Sequence, residues 1–271
     1  MSNNLRRHLH RRPRTRRRGP GRGRATQHLG RARDAHDGGG SRAGVLNFSN
    51  QTRMQSVTKR KDASLRAKRM SNERLFPATI MPDSDWWHAL WPDPENVLRT
   101  LGIEPGMQVV DLCCGDGHFT KPMCRLTSSG KTWALDLDAE LLAEAKNACR
   151  GSPNFIAVQG DARELPRLIA EPIDFVFIAN TFHGVPDKAA LSKAVWTVLK
   201  VGGRFAIINW HRLPREQTTV LDQPRGPDES LRMEPRDVSA SVEPVGFELE
   251  KVVDVSPYHY AALFIKKVGD R

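Results

Sequence analysis

The order of apolar segments along the chain predicts an α/β domain with a doubly wound, mostly parallel seven-stranded sheet that ends in an antiparallel hairpin. Five short apolar runs, typical of buried strands, are separated by longer stretches that include three with helical periodicity. This alternation is typical of a parallel sheet. Two further runs are separated only by Ser256 and Pro257, a connection too short for a parallel crossover.

Periodicity and turn signals predict the individual elements. The first strand, 108–112, is the apolar run Gln-Val-Val-Asp-Leu, which enters a glycine-containing turn. The parallel strands that follow are predicted at 131–137, 154–158, 173–179 and 204–209, the helices at 118–126, 139–149 and 188–199, and the closing hairpin at 247–255 and 258–266. Because ligands of such sheets lie beyond the carboxyl ends of the strands, the loops at that edge are where we expect a site.

The positive charge of the chain is confined to its first part. The 271 residues include 42 Lys+Arg and 31 Asp+Glu, and the net charge of +11 by itself points to a nucleic-acid partner. Residues 1–69 carry a net charge of +17, whereas residues 70–271 carry −6. We therefore assign 1–69 to a disordered, Arg- and Gly-rich basic tail and 70–271 to the folded domain, whose acidic balance disfavours nucleic acid.

Composition leaves three interpretations of this tail open. It is too polar to bury a core, so it is either a passive disordered segment or an arginine-rich arm for phosphates or for organelle targeting. Alternatively, natural translation starts at Met70, because the residues that follow, Ser-Asn-Glu-Arg-Leu-Phe-Pro, read like a natural beginning. The intact mass of the native protein would separate this last interpretation from the others.

Composition also disfavours several classes of protein and site. No run approaches the roughly 18 apolar residues of a membrane-spanning helix, and the first residues lack the apolar centre of a secretory signal. The four cysteines show no CxxC or Cys/His spacing. We therefore expect a soluble, cytoplasmic domain without membrane insertion, disulfides or a bound metal, whose oligomeric state the composition does not determine.

A glycine turn and three aspartates indicate a ligand site at the ends of the first three strands. Asp111 is followed by Leu-Cys-Cys-Gly-Asp-Gly, in which Gly115 and Gly117 let the backbone approach a ligand closely. Asp136 closes the second strand and can accept ribose hydroxyls, and Asp161 follows the third and can accept an adenine amino group. Either aspartate alone could instead cap the helical turn after it. The combination favours an adenosine-containing ligand.

Together these residues resemble the class I S-adenosylmethionine-dependent methyltransferases over about 86–267. The first motif of that family reads Asp/Glu-x-Gly-x-Gly-x-Gly, and 111–117 match it except that Cys113 replaces the first glycine, as in relatives similar to the ubiquinone and menaquinone biosynthesis type. The Val-Gly-Gly turn at 201–203 and the terminal hairpin also match. The resemblance implies a Rossmann-like methyltransferase fold, S-adenosyl-L-methionine as cofactor and S-adenosyl-L-homocysteine as product.

The resemblance also implies roles for single residues. The glycines would line the methionine part of the cofactor, Asp136 would hold the ribose, and Asp161 with the Ala162 amide would hold adenine. Asn180, after the fourth strand, would contact the methionyl part through its backbone. The residues expected to bind the cofactor are Asp111, Gly115, Gly117, Asp136, Leu137, Asp161, Ala162 and Asn180.

Two histidines are candidate catalytic bases. Methyl transfer from a sulfonium is a direct displacement, so the enzyme mainly aligns the reactants and excludes water. With a weakly acidic hydroxyl or thiol acceptor a general base helps near neutral pH, and His183 and His211 follow the fourth and fifth strands. Each could instead cap a helix or bind a loop carbonyl. The histidines favour O- or S-methylation of a small-molecule substrate over N- or C-methylation.

Aromatic and basic residues are the candidates for substrate binding. Trp86, Trp87 and Trp91 precede the first strand, where a helix could close over the sulfonium, although an ordinary docked amphipathic helix explains them equally well. Tyr258 and Tyr260 begin the returning strand of the hairpin and could form the opposite wall. The long connection 211–233 is a candidate lid whose arginines could hold a carboxylate or phosphate: Arg212, Arg215, Arg225 and Arg232.

Three other functions fit the sequence less well. A nucleic-acid methyltransferase of the amino-methylating type would carry Asn/Asp-Pro-Pro-aromatic after the fourth strand, where this chain has Asn-Thr-Phe-His. An arsenite-type enzyme would need cysteines that converge on the metalloid, and those of this chain are placed in the cofactor turn and on helices. A non-catalytic cofactor-binding scaffold stays possible, since a fold does not imply an activity.

Overall fold

A seven-stranded sheet organises the part of the chain that the computed structural model describes, residues 81–267. The predicted tail at 1–69, the predicted start at Met70 and the last four residues lie outside this range. The strands of the sheet are β1 (Gln108–Leu112), β2 (Lys131–Asp136), β3 (Phe155–Gln159), β4 (Ile173–Ala179), β5 (Leu199–Trp210), β8 (Phe247–Ser256) and β9 (His259–Lys266). Their order, β3-β2-β1-β4-β5-β9-β8, confirms the predicted doubly wound fold.

The closing hairpin enters the sheet in reverse chain order. The first five strands are parallel, whereas β9 is antiparallel to both β5 and β8. The last strand in the chain therefore lies inside the sheet, and β8 forms its edge. Residues 260–264 of β9 are almost completely buried. The predicted antiparallel hairpin is confirmed.

Helices cover both faces of the sheet. They are α1 (Ser84–Leu90), α2 (Pro94–Thr100), α3 (Thr120–Thr127), α4 (Ala139–Ala148), α5 (Leu165–Leu168), α6 (Lys188–Val198) and α7 (Pro235–Val242). One apolar core joins the sheet to α5, α6 and α7, for example through Leu191 and Val238, and a second joins it to α1, α2 and α3 through Leu98 and Met123. Each core excludes water from one face, as the continuous apolar strands require.

Side chains at the helix starts explain where several of these elements begin. The Asp138 carboxylate accepts hydrogen bonds from the Glu140 and Leu141 backbone N–H groups, and Asp187 accepts one from Ala190. Both aspartates satisfy donors that a helix leaves free in its first turn.

Among the described residues, no helix has the length and apolar character that crossing a bilayer requires.

The chain between β5 and α7 has more structure than the sequence predicted. It contains two short strands, β6 (Thr219–Val220) and β7 (Gln223–Pro224), which pair as a small separate sheet, and two single 3-10 turns. β5 also starts five residues earlier than predicted, at Leu199, because the Val-Gly-Gly turn at 201–203 is part of the extended segment. The 211–233 segment is therefore an ordered insertion beside the carboxyl ends of the strands.

Candidate functional site

A cavity of about 560 Å³ lies at the carboxyl edge of the sheet. It is centred on the point between β1 and β4 where the strand order reverses, which is where open α/β sheets bind ligands. The loops after β3, β2, β1, β4 and β5 all contribute to its walls. Because neighbouring strands are about 4.8 Å apart, these five loops span about 19 Å. The cavity can therefore hold an elongated ligand.

Asp136 and the glycine turn (residues 113–117) form one unit of the cavity wall. One carboxylate oxygen of Asp136 accepts the Gly115 N–H at 2.9 Å, and the other accepts the Asp138 N–H at 2.8 Å. Burial is the main effect on this carboxyl group and raises its pKa. Each oxygen has a second lone pair, so the carboxylate can still accept two hydroxyl groups of a ligand.

The two glycines of the turn have different surroundings. A Cβ on Gly115 would lie 2.5 Å from the Met81 sulfur at the cavity wall. A Cβ on Gly117 would lie 2.9 Å from the Ala145 Cα in α4, and Gly117 does not line the cavity. The expectation that Gly117 faces the ligand is therefore corrected, because this glycine lets the turn pack against a helix.

The Asp111 side chain links the strand before the glycine turn to the helix that follows the turn. It is buried and lines the cavity floor, and its carboxylate accepts a hydrogen bond from the Thr120 hydroxyl at 2.6 Å. Burial raises the pKa of Asp111 to about 7, with nearby carboxylates adding to the effect. This side chain therefore connects the end of β1 to the start of α3.

The third aspartate is held by its neighbour in the sequence. The Asp161 carboxylate accepts hydrogen bonds from the Arg163 backbone N–H at 2.9 Å and from the Arg163 guanidinium at 2.6 Å. This pairing lowers the pKa of Asp161. Asp161 thus caps the following 3-10 turn, as the alternative interpretation held, and it lines the cavity together with Ala162. Leu137 lines the cavity as well and is 42% exposed.

Two residues at the strand reversal adopt left-handed backbone conformations without being glycine. Cys113 after β1 has φ = 56° and Asn180 after β4 has φ = 57°. Both line the cavity, and left-handed conformations of residues other than glycine are uncommon and cluster at functional sites. Both polar atoms of the Asn180 side-chain amide are buried without a hydrogen-bond partner among the described residues. An amide in this state is suited to bind a polar ligand.

The two candidate bases are in different places. His183 lies in a 3-10 turn after β4, is half-buried and lines the cavity. Burial is the largest effect on its pKa and lowers it below the ordinary value near 6.5, so the ring is neutral at pH 7. His211 does not line the cavity, because its Nε2 faces the Asp254 carboxylate at 3.0 Å.

The predicted aromatic residues also separate into two groups. Trp86 and Trp87 of α1 line the cavity, whereas Trp91 is buried against Phe119 and His259. Tyr258 and Tyr260 do not form the opposite wall that was expected. The Tyr258 hydroxyl donates to the Thr219 carbonyl of the 211–233 segment, and the Tyr260 hydroxyl donates to the Met233 carbonyl from inside the core. The inserted segment takes the place predicted for these tyrosines.

The four arginines of the 211–233 segment have three different environments. Arg215, which is exposed, and Arg225, which is half-buried, line the cavity, and Arg212 is exposed outside it. Arg232 is only 3% exposed, and its guanidinium donates to the carbonyls of Leu213 and Pro227 at 2.8 and 3.1 Å. Arg232 therefore holds the segment together rather than facing a ligand.

Several cavity residues were not identified from the sequence. His118, next to the glycine turn, lines the cavity, and its Nε2 is buried without a partner among the described residues. Burial lowers the pKa of His118. Met81 and Trp210 also line the cavity. The position of His118 beside Gly117 was an available signal, whereas the contribution of Met81 depends on contacts between distant parts of the chain.

The domain is similar in sequence to proteins described as methyltransferases. Residues 109–203 match a family model described as a methyltransferase domain. The demethylmenaquinone methyltransferase of Staphylococcus aureus strain MRSA252 is 32% identical over 117 residues, which are 43% of this chain and 47% of that protein. The protein of the same name in strain JH9 is 30% identical over the same shares. The chain thus spans about half the length of the curated relatives it matches.

The fold is also found in solved structures. A SAM-dependent methyltransferase from Aquifex aeolicus aligns with a TM-score of 0.58 and 24% sequence identity. The alignment covers 68% of this chain and 94% of that one. This similarity concerns the architecture of the domain.

Proposed function

The chain carries a class I S-adenosylmethionine-dependent methyltransferase domain, and from this premise we propose that its cavity binds S-adenosylmethionine and a small-molecule acceptor, to which the methyl group is transferred. The observation that carries the proposal is the arrangement at the carboxyl edge of the sheet. There, the Asp136 carboxylate and the unpartnered Asn180 amide line one cavity together with the glycine turn. A buried amide without a partner in a cavity wall is suited to bind the polar groups of a ligand.

The residues present fit this cofactor in three respects. The Asp136 carboxylate keeps lone pairs for two ribose hydroxyls after binding two backbone N–H groups. Ala162 and the neighbouring Asp161 line the cavity after the end of β3, where adenine would lie. Gly115 lines the cavity, and its N–H is bound by the Asp136 carboxylate, so the backbone of the turn lies beside the proposed ribose position. We therefore propose Asp111, Gly115, Asp136, Leu137, Asp161, Ala162 and Asn180 as the cofactor-binding residues.

The bound cofactor would supply an electrophilic methyl group, and the chain's own residues would orient the acceptor and exclude water. Trp86 and Trp87 cover the cavity from α1 and provide apolar and π surfaces next to the acceptor. His183, which is neutral at pH 7, would accept the proton of a hydroxyl or thiol acceptor at a ring nitrogen. This chemistry favours O- or S-methylation.

A second candidate reaction is methylation at carbon. The two relatives reported above are demethylmenaquinone methyltransferases, so an acceptor of quinol type also fits the proposal. A deprotonated phenol is nucleophilic at oxygen and at the neighbouring ring carbons, and the same base would therefore serve both reactions. The position of the added methyl group in the isolated product, determined by NMR, separates the two candidates.

Cofactor binding is tested by calorimetric titration of the full chain with S-adenosylmethionine and S-adenosylhomocysteine. Asp136→Asn should weaken binding by at least about tenfold, because it removes the negative charge and converts one of the two acceptor oxygens into an NH2 donor. Asp187→Asn is the matched control, since Asp187 caps α6 and does not line the cavity. Equal affinity of the Asp136 variant and the wild type would refute the ribose assignment.

The acceptor chemistry is tested with His183→Ala, compared with His211→Ala. We expect the His183 variant to bind S-adenosylmethionine normally and to lose turnover by about 10²-fold or more, because base catalysis is lost. The His211 variant should keep its turnover, since that ring lies outside the cavity. Metabolite extracts screened for methylated masses would supply the acceptor for this assay. Cofactor binding without any methylated product would favour the scaffold interpretation.

A further inference from the structure

We propose that Arg215 and Arg225 form a carboxylate-binding subsite of the cavity and that the methyl acceptor is an aromatic carboxylic acid. This inference rests on the proposed function and names its substrate class. Both arginines belong to the 211–233 segment, which follows β5. The strand order places β5 on the opposite side of β1 from β2 and β3, whose loops carry Asp136 and Asp161. The cavity thus has an acidic end and a basic end.

The two guanidinium groups lack partners of opposite charge. No carboxylate of the described residues lies within 4.0 Å of either one, although Arg163 and Arg204 elsewhere in the domain are paired with acids. The Nε atom of Arg225 is buried without a hydrogen-bond acceptor among the described residues. The acids of the same segment, Glu216, Asp222, Asp228 and Glu229, are exposed and do not line the cavity. A buried guanidinium donor without an acceptor is suited to an anionic ligand.

Hydrogen bonds of Thr218 connect the backbones of Arg215 and Arg225. Thr218 is fully buried, and its hydroxyl contacts the Arg215 carbonyl at 3.0 Å and the Arg225 carbonyl at 2.8 Å. The Thr218 carbonyl in turn accepts the Arg225 N–H at 2.8 Å. The Arg232 guanidinium donates to the Thr218 hydroxyl at 3.0 Å and to the Arg225 carbonyl at 3.3 Å. These contacts fix the backbone on both sides of the subsite, which lowers the entropic cost of binding.

Aromatic rings beside the subsite indicate the shape of the rest of the ligand. The Arg225 guanidinium lies over the Trp86 ring, 5.3 Å from its centroid. Gly226, with φ = 90°, lies so close to Trp210 that a Cβ would be 3.0 Å from the indole ring. Trp86 and Trp210 both line the cavity and offer flat apolar walls. A planar acceptor that carries a carboxylate matches this combination of walls and charges.

The test compares 3,4-dihydroxybenzoate with its methyl ester, which keeps the hydroxyl groups and lacks the negative charge. Binding of each probe to the full chain is measured by calorimetry with and without S-adenosylhomocysteine. We expect the wild type to bind the acid about tenfold or more tightly than the ester, and 0.5 M NaCl should weaken binding of the acid only. The variant Arg215→Gln/Arg225→Gln should bind both probes alike. Arg212→Gln, an exposed arginine of the same segment, is the matched control and should keep the preference.

The other outcomes are distinguishable. A wild type that does not prefer the acid, or that binds neither probe, overturns the subsite, as does a preference that persists in the double variant. A double variant that keeps the preference for the acid but loses affinity for S-adenosylmethionine would show that the arginines hold the carboxylate of the cofactor. If the chain prefers the acid yet binds no S-adenosylmethionine, the subsite stands and the proposed function fails.

Discussion

Replacing Gly117 with alanine should destabilise the domain by about 2–5 kcal/mol. Gly117 has φ = 87°, and a side chain in a left-handed conformation costs roughly 1–2 kcal/mol. The new Cβ would also lie 2.9 Å from the Ala145 Cα and 3.0 Å from its Cβ. Both atoms belong to a buried helix residue that cannot rotate away, and overpacking of this kind typically costs about 1–3 kcal/mol.

Urea unfolding of the full chain measures this loss, with Gly151→Ala as the matched control. Gly151 has φ = 88°, and a Cβ added there would have no atom within 4 Å, so its variant carries only the conformational cost. The difference between the two variants therefore isolates the overlap with α4. If Gly117→Ala is no less stable than Gly151→Ala, the packing explanation for Gly117 is refuted, and a ligand-facing role regains support.

Three further predictions concern residues around the cavity. Burial raises the pKa of Asp111 from its ordinary value near 4 to about 7. Because the folded protein then holds this proton more tightly than the unfolded chain, the free energy of unfolding of the wild type should fall by about 2–3 kcal/mol as the pH rises from 5 to 8. Urea unfolding of Asp111→Asn should show a smaller loss. Arg232→Met should leave the Leu213 and Pro227 carbonyls without donors, which costs about 1–3 kcal/mol for each carbonyl. Because the 211–233 segment is then held less firmly, trypsin should cleave it faster than in the wild type. Tyr260→Phe should lower stability by about 1 kcal/mol in thermal unfolding while the affinity for S-adenosylmethionine stays unchanged, because this hydroxyl binds the Met233 carbonyl outside the cavity; a clear loss of affinity would contradict that placement.

The sheet could be predicted because its strands are short, apolar and bounded by turn residues. β1 and β4 have the predicted limits, and the remaining parallel strands differ mainly at their ends, where hydrogen bonding rather than composition decides the boundary. The hairpin followed from the two-residue connection at 256–257. Its place in the sheet, with β9 inside and β8 at the edge, depends on contacts between strands that are far apart in the sequence.

The candidate site was predictable at residues that the strand ends position directly. Asp136 and Asn180 follow strands, and their places in the cavity follow from the topology. Tyr260 was expected at the cavity because alternate residues of a strand share one face, but alternation does not say which face is covered by a helix. The need for glycine at 117 was visible in the sequence, whereas the group that excludes a side chain there was not.

Arg232 shows a different limit of sequence reasoning. A charged residue in a long connection is ordinarily expected in solvent, and only the folded segment shows four acceptors converging on one buried guanidinium. The same carbonyl and hydroxyl groups determine where the neighbouring arginines lie. The sequence therefore identifies the four arginines as a group, whereas the role of each arginine depends on the hydrogen bonds of the folded chain.

The position of β9 has a consequence for how the protein is made. β9 forms hydrogen bonds with both β5 and β8. Neither β5 nor β8 can therefore complete its pairing until the ribosome has synthesised the residues up to Lys266. During synthesis, the apolar β5 presents an open edge that can pair with other nascent chains. We therefore expect the domain to acquire its native sheet only after β9 has left the ribosome, and incomplete chains that stop before His259 to aggregate or to be captured by chaperones.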